Sequence, residues 1–188
     1  MSLDKRRDNR TRAEFKNDMI KAAQKEAKWM EILCGQLKRN KREFILKDTG
    51  VDNTGKLIEG TLSKNTPDFY LENNNRGGQY IEVKTAPEFC DGKFFTFKVS
   101  SLKMCISHGS WIFLPRRPHF YLIQCPAMEK MLEYSPRIYP GFSPNDPAIR
   151  IYHKNFSSLL NDRLITQHNW DGVSRKIIDR DAEKFRLF

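Results

Sequence analysis

Residues Thr66 to Ala86 read TPDFYLENNNRGGQYIEVKTA. Two runs rich in aromatic and β-branched residues flank the cluster Asn73-Asn74-Asn75-Arg76-Gly77-Gly78. Asn and Gly supply the positive φ angles that a tight connection needs. The segment therefore predicts a hairpin with strands over Pro67–Glu72 and Gln79–Thr85. A loop centred on Asn75 sets Asp68 opposite Glu82. Opposed residues of an antiparallel pair share a face, with Cβ atoms about 5 Å apart. Strand alternation adds Lys84 to that face and turns Phe69, Ile81 and Val83 to the other, where they can fill a core.

One face of the hairpin thus carries two carboxylates and an ammonium. Carboxylates so close repel unless a cation lies between them. A hard divalent ion that keeps several waters, takes few protein oxygens and grips phosphate is the usual Mg²⁺ arrangement. Asp68 and Glu82 are the candidate ligands. Lys84 is placed to orient or deprotonate a nucleophile, or to offset charge on a phosphate. Each piece has a plainer reading. Pro-Asp is a common turn dipeptide, and Glu-x-Lys on a strand is usually an ion pair on a solvated face.

Upstream, Phe15, Met19, Ala22, Ala23, Met30, Leu33 and Leu37 recur at helical steps, which predicts a helix over about 12–39. Projected at 100° per residue, Glu26 falls inside this apolar stripe, whereas Glu14 and Glu31 lie well away from it. A carboxylate on a buried face is costly unless it is paired or metal-bound. Glu26 is therefore a third acidic candidate, reaching the metal directly or through water. The competing reading is an edge glutamate that snorkels to water or pairs with a buried lysine.

Working outward, Glu43–Lys47 is a short strand candidate, and Asp48–Asn65, with Gly50, Gly55 and Gly60, reads as loop. Lys93–Val99, Trp111–Leu114, Phe120–Gln124 and Ala148–Tyr152 predict strands. A short helix capped by Ser100 or Ser101 runs to His108, and others cover Pro126–Tyr134 and about Asn155–Thr166. Pro136–Pro147 reads as a surface connection. The residues before Arg12 read as a basic arm, and those after Thr166 as a charged tail. Helices mixed with a mostly antiparallel group of strands indicate an α/β sandwich.

The 188 residues suit one domain with a real hydrophobic core. Hydrophobic residues at 39% argue against wholesale disorder. The net charge of +10 points to a polyanionic partner, with nucleic acid the commonest and an acidic membrane surface the competitor. No apolar run nears the roughly 18 residues of a membrane span, and no secretory leader is evident. Cys34, Cys90, Cys105 and Cys125 form no C-x-x-C pair, so buried thiols in a reducing compartment are expected. His108, His119, His153 and His168 show no ligand spacing. The expected location is cytoplasmic, or the host-cell cytoplasm for a phage-encoded chain.

Pro67-Asp68 followed by Glu82-Val83-Lys84 resembles the PD-(D/E)xK nuclease superfamily of restriction enzymes, junction resolvases and phage endonucleases. Glu26, with Trp29, Ile32 and Leu33 after it, is similar to the first helix of resolvase-type members. The resemblance implies a restriction-endonuclease-like α/β core, a mixed central sheet flanked by helices. It covers about residues 12–125, with 126–188 a C-terminal elaboration of a single 1–188 domain. It further implies a Mg²⁺-dependent endonuclease, with Mn²⁺ as a substitute. Asp68, Glu82, Lys84 and Glu26 would be catalytic, and Asp68, Glu82 and Glu26 would face the metal. The implied partner is nucleic acid, DNA rather than RNA, with no membrane; a two-fold homodimer would suit cutting of both strands. Two alternatives stay open. One is a nuclease fold that binds nucleic acid without cutting. The other is an unrelated basic binding domain using runs such as Lys38–Arg42 and Arg116-Arg117, although no RRM, KH, zinc-finger or Gly-rich phosphate-loop signature is present.

Overall fold

The computed structural model describes residues 11–49, 66–73, 77–85, 94–138 and 147–185. The basic arm, most of the Asp48–Asn65 loop, Cys90 and most of the Pro136–Pro147 connection lie outside the described residues.

The first helix, α1, spans Arg12–Arg39. Thr11 caps it: its hydroxyl accepts from the Glu14 N–H at 3.2 Å, while the Glu14 carboxylate accepts from the Thr11 N–H at 2.6 Å. Lys38 and Arg39 lie in the last turn, where cations oppose the helix dipole. Strand β1 (Phe44–Asp48) follows, then β2 (Phe69–Asn73) and β3 (Gly77–Val83). Next come β4 (Phe94–Lys98), α2 (Val99–Ser107), β5 (Trp111–Pro115) and β6 (His119–Ile123). The chain then forms α3 (Cys125–Leu132), β7 (Ala148–Tyr152), α4 (His153–Asn161), β8 (Ile165–Asn169) and α5 (Gly172–Phe185).

The central sheet is mixed and six-stranded, in the order β1-β2-β3-β5-β6-β8. Among the described strands only β3 and β5 pair in parallel, since the chain crosses over through β4 and α2 between them. Strands β4 and β7 form a separate antiparallel pair. Residue alternation sends side chains into two cores. Ile81, Val83 and Phe113 face α1, meeting Trp29, Met30 and Leu33. Ile112, Leu114 and Ile123 face the other way, onto α2, α3, α4 and the β4–β7 pair.

The hairpin register is the one the sequence predicts. Phe69 pairs with Ile81, Tyr70 with Tyr80 and Leu71 with Gln79. Gly77 has φ +78°, in the left-handed region that favours glycine. At Gly78 a Cβ would meet the Tyr70 ring at 2.1 Å, so a side chain there would require the cross-strand aromatic to move.

The C-terminal third departs from expectation. The predicted helix Asn155–Thr166 ends at Asn161, and Ile165–Asn169 is instead the sixth strand of the sheet. The expected charged tail contains α5, which packs on α1. The sheet therefore does not close at residue 125. Trp170, between β8 and α5, is 2% exposed. It stacks on Trp29 at 5.6 Å, packs on Phe120 at 4.4 Å and donates from Nε1 to the Arg116 carbonyl at 2.8 Å. Trp170→Ala is expected to destabilise the whole fold by about 3–5 kcal/mol, read as a lower urea midpoint at unchanged slope. A loss under about 1 kcal/mol would show that this segment only decorates the surface.

Candidate active site

Asp68 sits at the bend before β2, and the register of Phe69 on Ile81 continues to bring it opposite Glu82. Its carboxylate crosses to β3 and accepts from the Val83 N–H at 2.8 Å. Glu82 is nearly the last residue of β3 and is 6% exposed. Lys84 continues the line of the parallel pair, donating its backbone N–H to the Phe113 carbonyl at 2.9 Å. Its Nζ donates to Glu82 Oε1. The three hairpin residues predicted to converge are therefore together.

Sequence reasoning missed Ser101. Its hydroxyl donates to Glu82 Oε1 at 3.3 Å, the same oxygen that Lys84 holds. The sequence suggested Ser100 or Ser101 as an N-cap, but α2 starts earlier, at Val99, with Lys98 as an N-cap that makes no side-chain bond. A serine in the first turn of an amphipathic helix carries no pattern that distinguishes a cap from a bond to a neighbouring strand. One turn on, Cys105 is fully buried, and burial together with nearby Glu82 pushes its thiol up. Cys34 and Cys125 are half-buried free thiols.

Glu26, on α1, lies near enough to the cluster to feel its charges. Burial pushes its carboxyl up to about 8, and Asp68 and Glu82 add to the rise. Lys84 opposes it more strongly than adjacent Lys25 does. Asp68 is pushed up to about 7, by burial first and then by Glu82, while Lys84 and the Val83 N–H pull it down. Burial alone would lower Lys84, but Glu82, Asp68 and Glu26 outweigh it and hold the ammonium above the ordinary lysine value.

These shifts describe one electrostatic unit. With Asp68 and Glu26 protonated, Glu82 and Lys84 leave it neutral. Ionising all three carboxyls against one ammonium leaves a net charge of minus two, which one divalent cation would balance. The donors are hard oxygens, which fits Mg²⁺ with water completing its shell. Among the described residues, however, no three His, Cys, Asp or Glu side chains stand as a ready-made cage. The expected three-carboxylate ligand set is thus not assembled, and the opposed pair Asp68 and Glu82 is the closest approach to one. Glu26 enters through the charge balance.

Glu26→Gln removes the helix carboxylate's charge and keeps its shape. The expected result is weaker metal-dependent activity with an unchanged fold. Glu31 is the control: its side chain is 68% exposed and pairs with Lys28 at 3.4 Å. Equal behaviour of Glu26→Gln and Glu31→Gln in a Mg²⁺ titration would remove Glu26 from the site.

Among the described residues no helix is long and apolar enough to cross a membrane. Comparison of the chain with protein-family models, with curated proteins and with solved structures found no match.

Proposed function

We propose that the chain is a metal-dependent endonuclease of PD-(D/E)xK type that hydrolyses phosphodiester bonds in nucleic acid, DNA above RNA. The observation that carries this reading is the convergence of Asp68, Glu82 and Lys84 on one end of a mixed sheet, with Glu26 coupled to them from α1. A bound Mg²⁺ would lower the pKa of a water and offset charge developing on the phosphate.

The protein's part is positioning. Asp68 and Glu82 would hold the cation, with Val83 N–H and Ser101 hydroxyl fixing their orientations. Lys84 grips one oxygen of Glu82 and leaves the other for the ion. Its charge lies where a phosphate oxygen would come to rest, and it can orient the attacking water by a hydrogen bond. Glu26 would give up its proton as the carboxyls ionise together around the cation.

The direct bond from Lys84 to Glu82 and the lack of a three-ligand cage among the described residues favour one second reading, a related domain that binds nucleic acid without cutting it. Incubation with plasmid, branched DNA and RNA, in Mg²⁺ and in EDTA, tests the choice. Cleavage only with Mg²⁺ supports the nuclease. Binding without cleavage under every metal supports the second reading. A parallel incubation in Mn²⁺ covers the expected substitution, and sedimentation of the complex covers the proposed homodimer.

A further inference from the structure

Helix α1 covers one end of the sheet and leaves a space at the other. Trp29, Met30 and Leu33 pack on Val83 and Phe113, toward the end that carries the carboxylates. Between the last turns of α1 and the start of β3 and β5 lies a cavity of about 450 Å³. Its walls are Leu33, Leu37, Leu71, Ile81, Trp111 and Phe120. The hairpin supplies glycine where a side chain could have filled it. Gly77 lines the cavity, and a Cβ there would meet nothing within 4 Å. Native interiors are close-packed, so apolar-walled space of this size is that of a small-molecule site, not of a packing defect.

The rim of the cavity follows from the way α1 ends. The Asn40 N–H donates to the Gln36 carbonyl at 3.1 Å, the Lys41 N–H to Lys38 at 3.0 Å and the Arg42 N–H to Leu37 at 3.1 Å. The last two bonds make a Schellman motif, with Lys41 at φ +59° in the left-handed position that usually takes glycine. Such a motif commonly closes with an apolar contact between the residue just past the turn and the helix residue it bonds. Here those residues are Arg42 and Leu37, and both line the cavity. An exposed cation thus stands where an apolar side chain usually seals the helix end. Among the described residues the Arg42 side chain makes no hydrogen bond or ion pair. The same backbone bonds occupy the last carbonyls of α1, which would otherwise repel an anion. His168 of β8 also lines the cavity, its ring stacked on Phe120 at 5.2 Å. Partial burial, and then the charge of Arg42, lower the proton affinity of His168. Among the described residues no Asp or Glu lines the cavity.

We propose that this cavity binds a small amphipathic anion, an apolar body bearing one carboxylate, with the body between α1 and the sheet and the head at Arg42. The guanidinium is a planar fork of donors that matches a carboxylate. The ligand would give Arg42 a partner and cover the apolar walls. The site is separate from the carboxylate cluster. Ile81 turns to the α1 face, whereas Glu82 turns to the opposite face and bonds Ser101 on α2. The proposal therefore does not rest on the nuclease reading.

The test uses anilinonaphthalene sulfonate, an aromatic anion that fluoresces in apolar sites, with decanoate as competitor. Wild type is expected to enhance the fluorescence with one site per chain, and decanoate to displace the dye. Decanol, with the same chain and no charge, should displace it about tenfold less well. Arg42→Gln should weaken decanoate by about tenfold too, and the exposed position leaves the fold intact. Leu37→Trp should fill the cavity and abolish dye binding. Leu122→Phe, on the sheet wall, is the second filling variant if Leu37→Trp does not melt cooperatively. Lys130→Gln, on α3 and paired with Asp162 at 3.3 Å, should match wild type. Wild type that does not enhance the dye overturns the proposal, as does a folded filling variant that binds it unchanged. Decanol as effective as decanoate, or Arg42→Gln equal to wild type, overturns the anionic head and the proposal with it. Enhancement lost as concentrated protein dimerises would show a second copy covering the cavity and would also overturn it. None of these readings uses cleavage, so the nuclease reading stands or falls apart from them.

Discussion

Lys84→Ala should reduce Mg²⁺-dependent cleavage by about 10²- to 10³-fold, the usual cost of removing one group aimed at transition-state charge. Asp68→Ala and Glu82→Ala should each do at least as much, since each removes half of the opposed pair. Binding should separate from cleavage. Lys84→Ala should bind nucleic acid nearly as well as wild type, because a net charge of +10 leaves many other cations to meet phosphates. In EDTA, loss of Asp68 or Glu82 should tighten binding, because a carboxylate repelling phosphate has gone. Gel cleavage and anisotropy on the same preparations read both quantities. Cleavage that survives all three substitutions sinks the assignment of this site.

The second large effect is proton linkage. Asp68 and Glu26 keep their protons up to about 7 and about 8 in the fold. Ordinary aspartate and glutamate release theirs near about pH 4. Between those limits the unfolded chain binds fewer protons than the folded one, so stability falls as pH rises. The contribution is fully present below about pH 4 and lost once pH passes the folded values. A cation requires the ionised carboxylates, so its binding releases protons and strengthens over the same window. In EDTA the Tm should therefore fall between about pH 5 and about pH 8, and saturating Mg²⁺ should raise Tm most at the upper end. A Tm independent of both pH and Mg²⁺ would mean that the carboxyls are not coupled as described.

These effects trace to features that the sequence displays unevenly. Helix α1 was legible because its apolar residues keep a 3.6-residue period, and its one misplaced carboxylate, Glu26, stands out against that period. The hairpin was legible because the Asn/Gly cluster between the two runs marks where the chain reverses, and that centre sets every opposed pair. Strand β8 was not legible. It is an edge strand, ITQHN, in which only Ile165 is buried, so it has little apolar alternation to show. Helix α5 was hidden for a related reason. Its buried face uses Ser174, Ile178 and Asp181, spaced four and three residues apart, and two of those are polar.

Those polar residues are satisfied by α1. Arg39 Nη2 donates to the Ser174 hydroxyl at 2.7 Å, and Lys28 pairs with Asp181 at 3.4 Å. Gln36 adds a clasp, donating to the Asn169 carbonyl at 3.2 Å and accepting from the Asp171 N–H at 3.0 Å. An interface built from hydrogen bonds between segments more than 130 residues apart leaves no apolar periodicity to read. The same holds for Ser101, whose meaning comes from its partner Glu82 on another element. The resemblance to PD-(D/E)xK nucleases rests on the hairpin and α1; the fold adds a mixed six-stranded sheet flanked by helices, consistent with such a core at the level of an α/β architecture.

The central claim is that Asp68 and Glu82 hold one divalent cation at the end of the hairpin. Anomalous scattering from crystals soaked in Mn²⁺ tests it most directly. The account predicts one peak between the two carboxylates, about 2.1 Å from an oxygen of each, with the Lys84 amine beside it. Crystals with no peak there, and with Lys84 still bonded to Glu82 at saturating Mn²⁺, would contradict it.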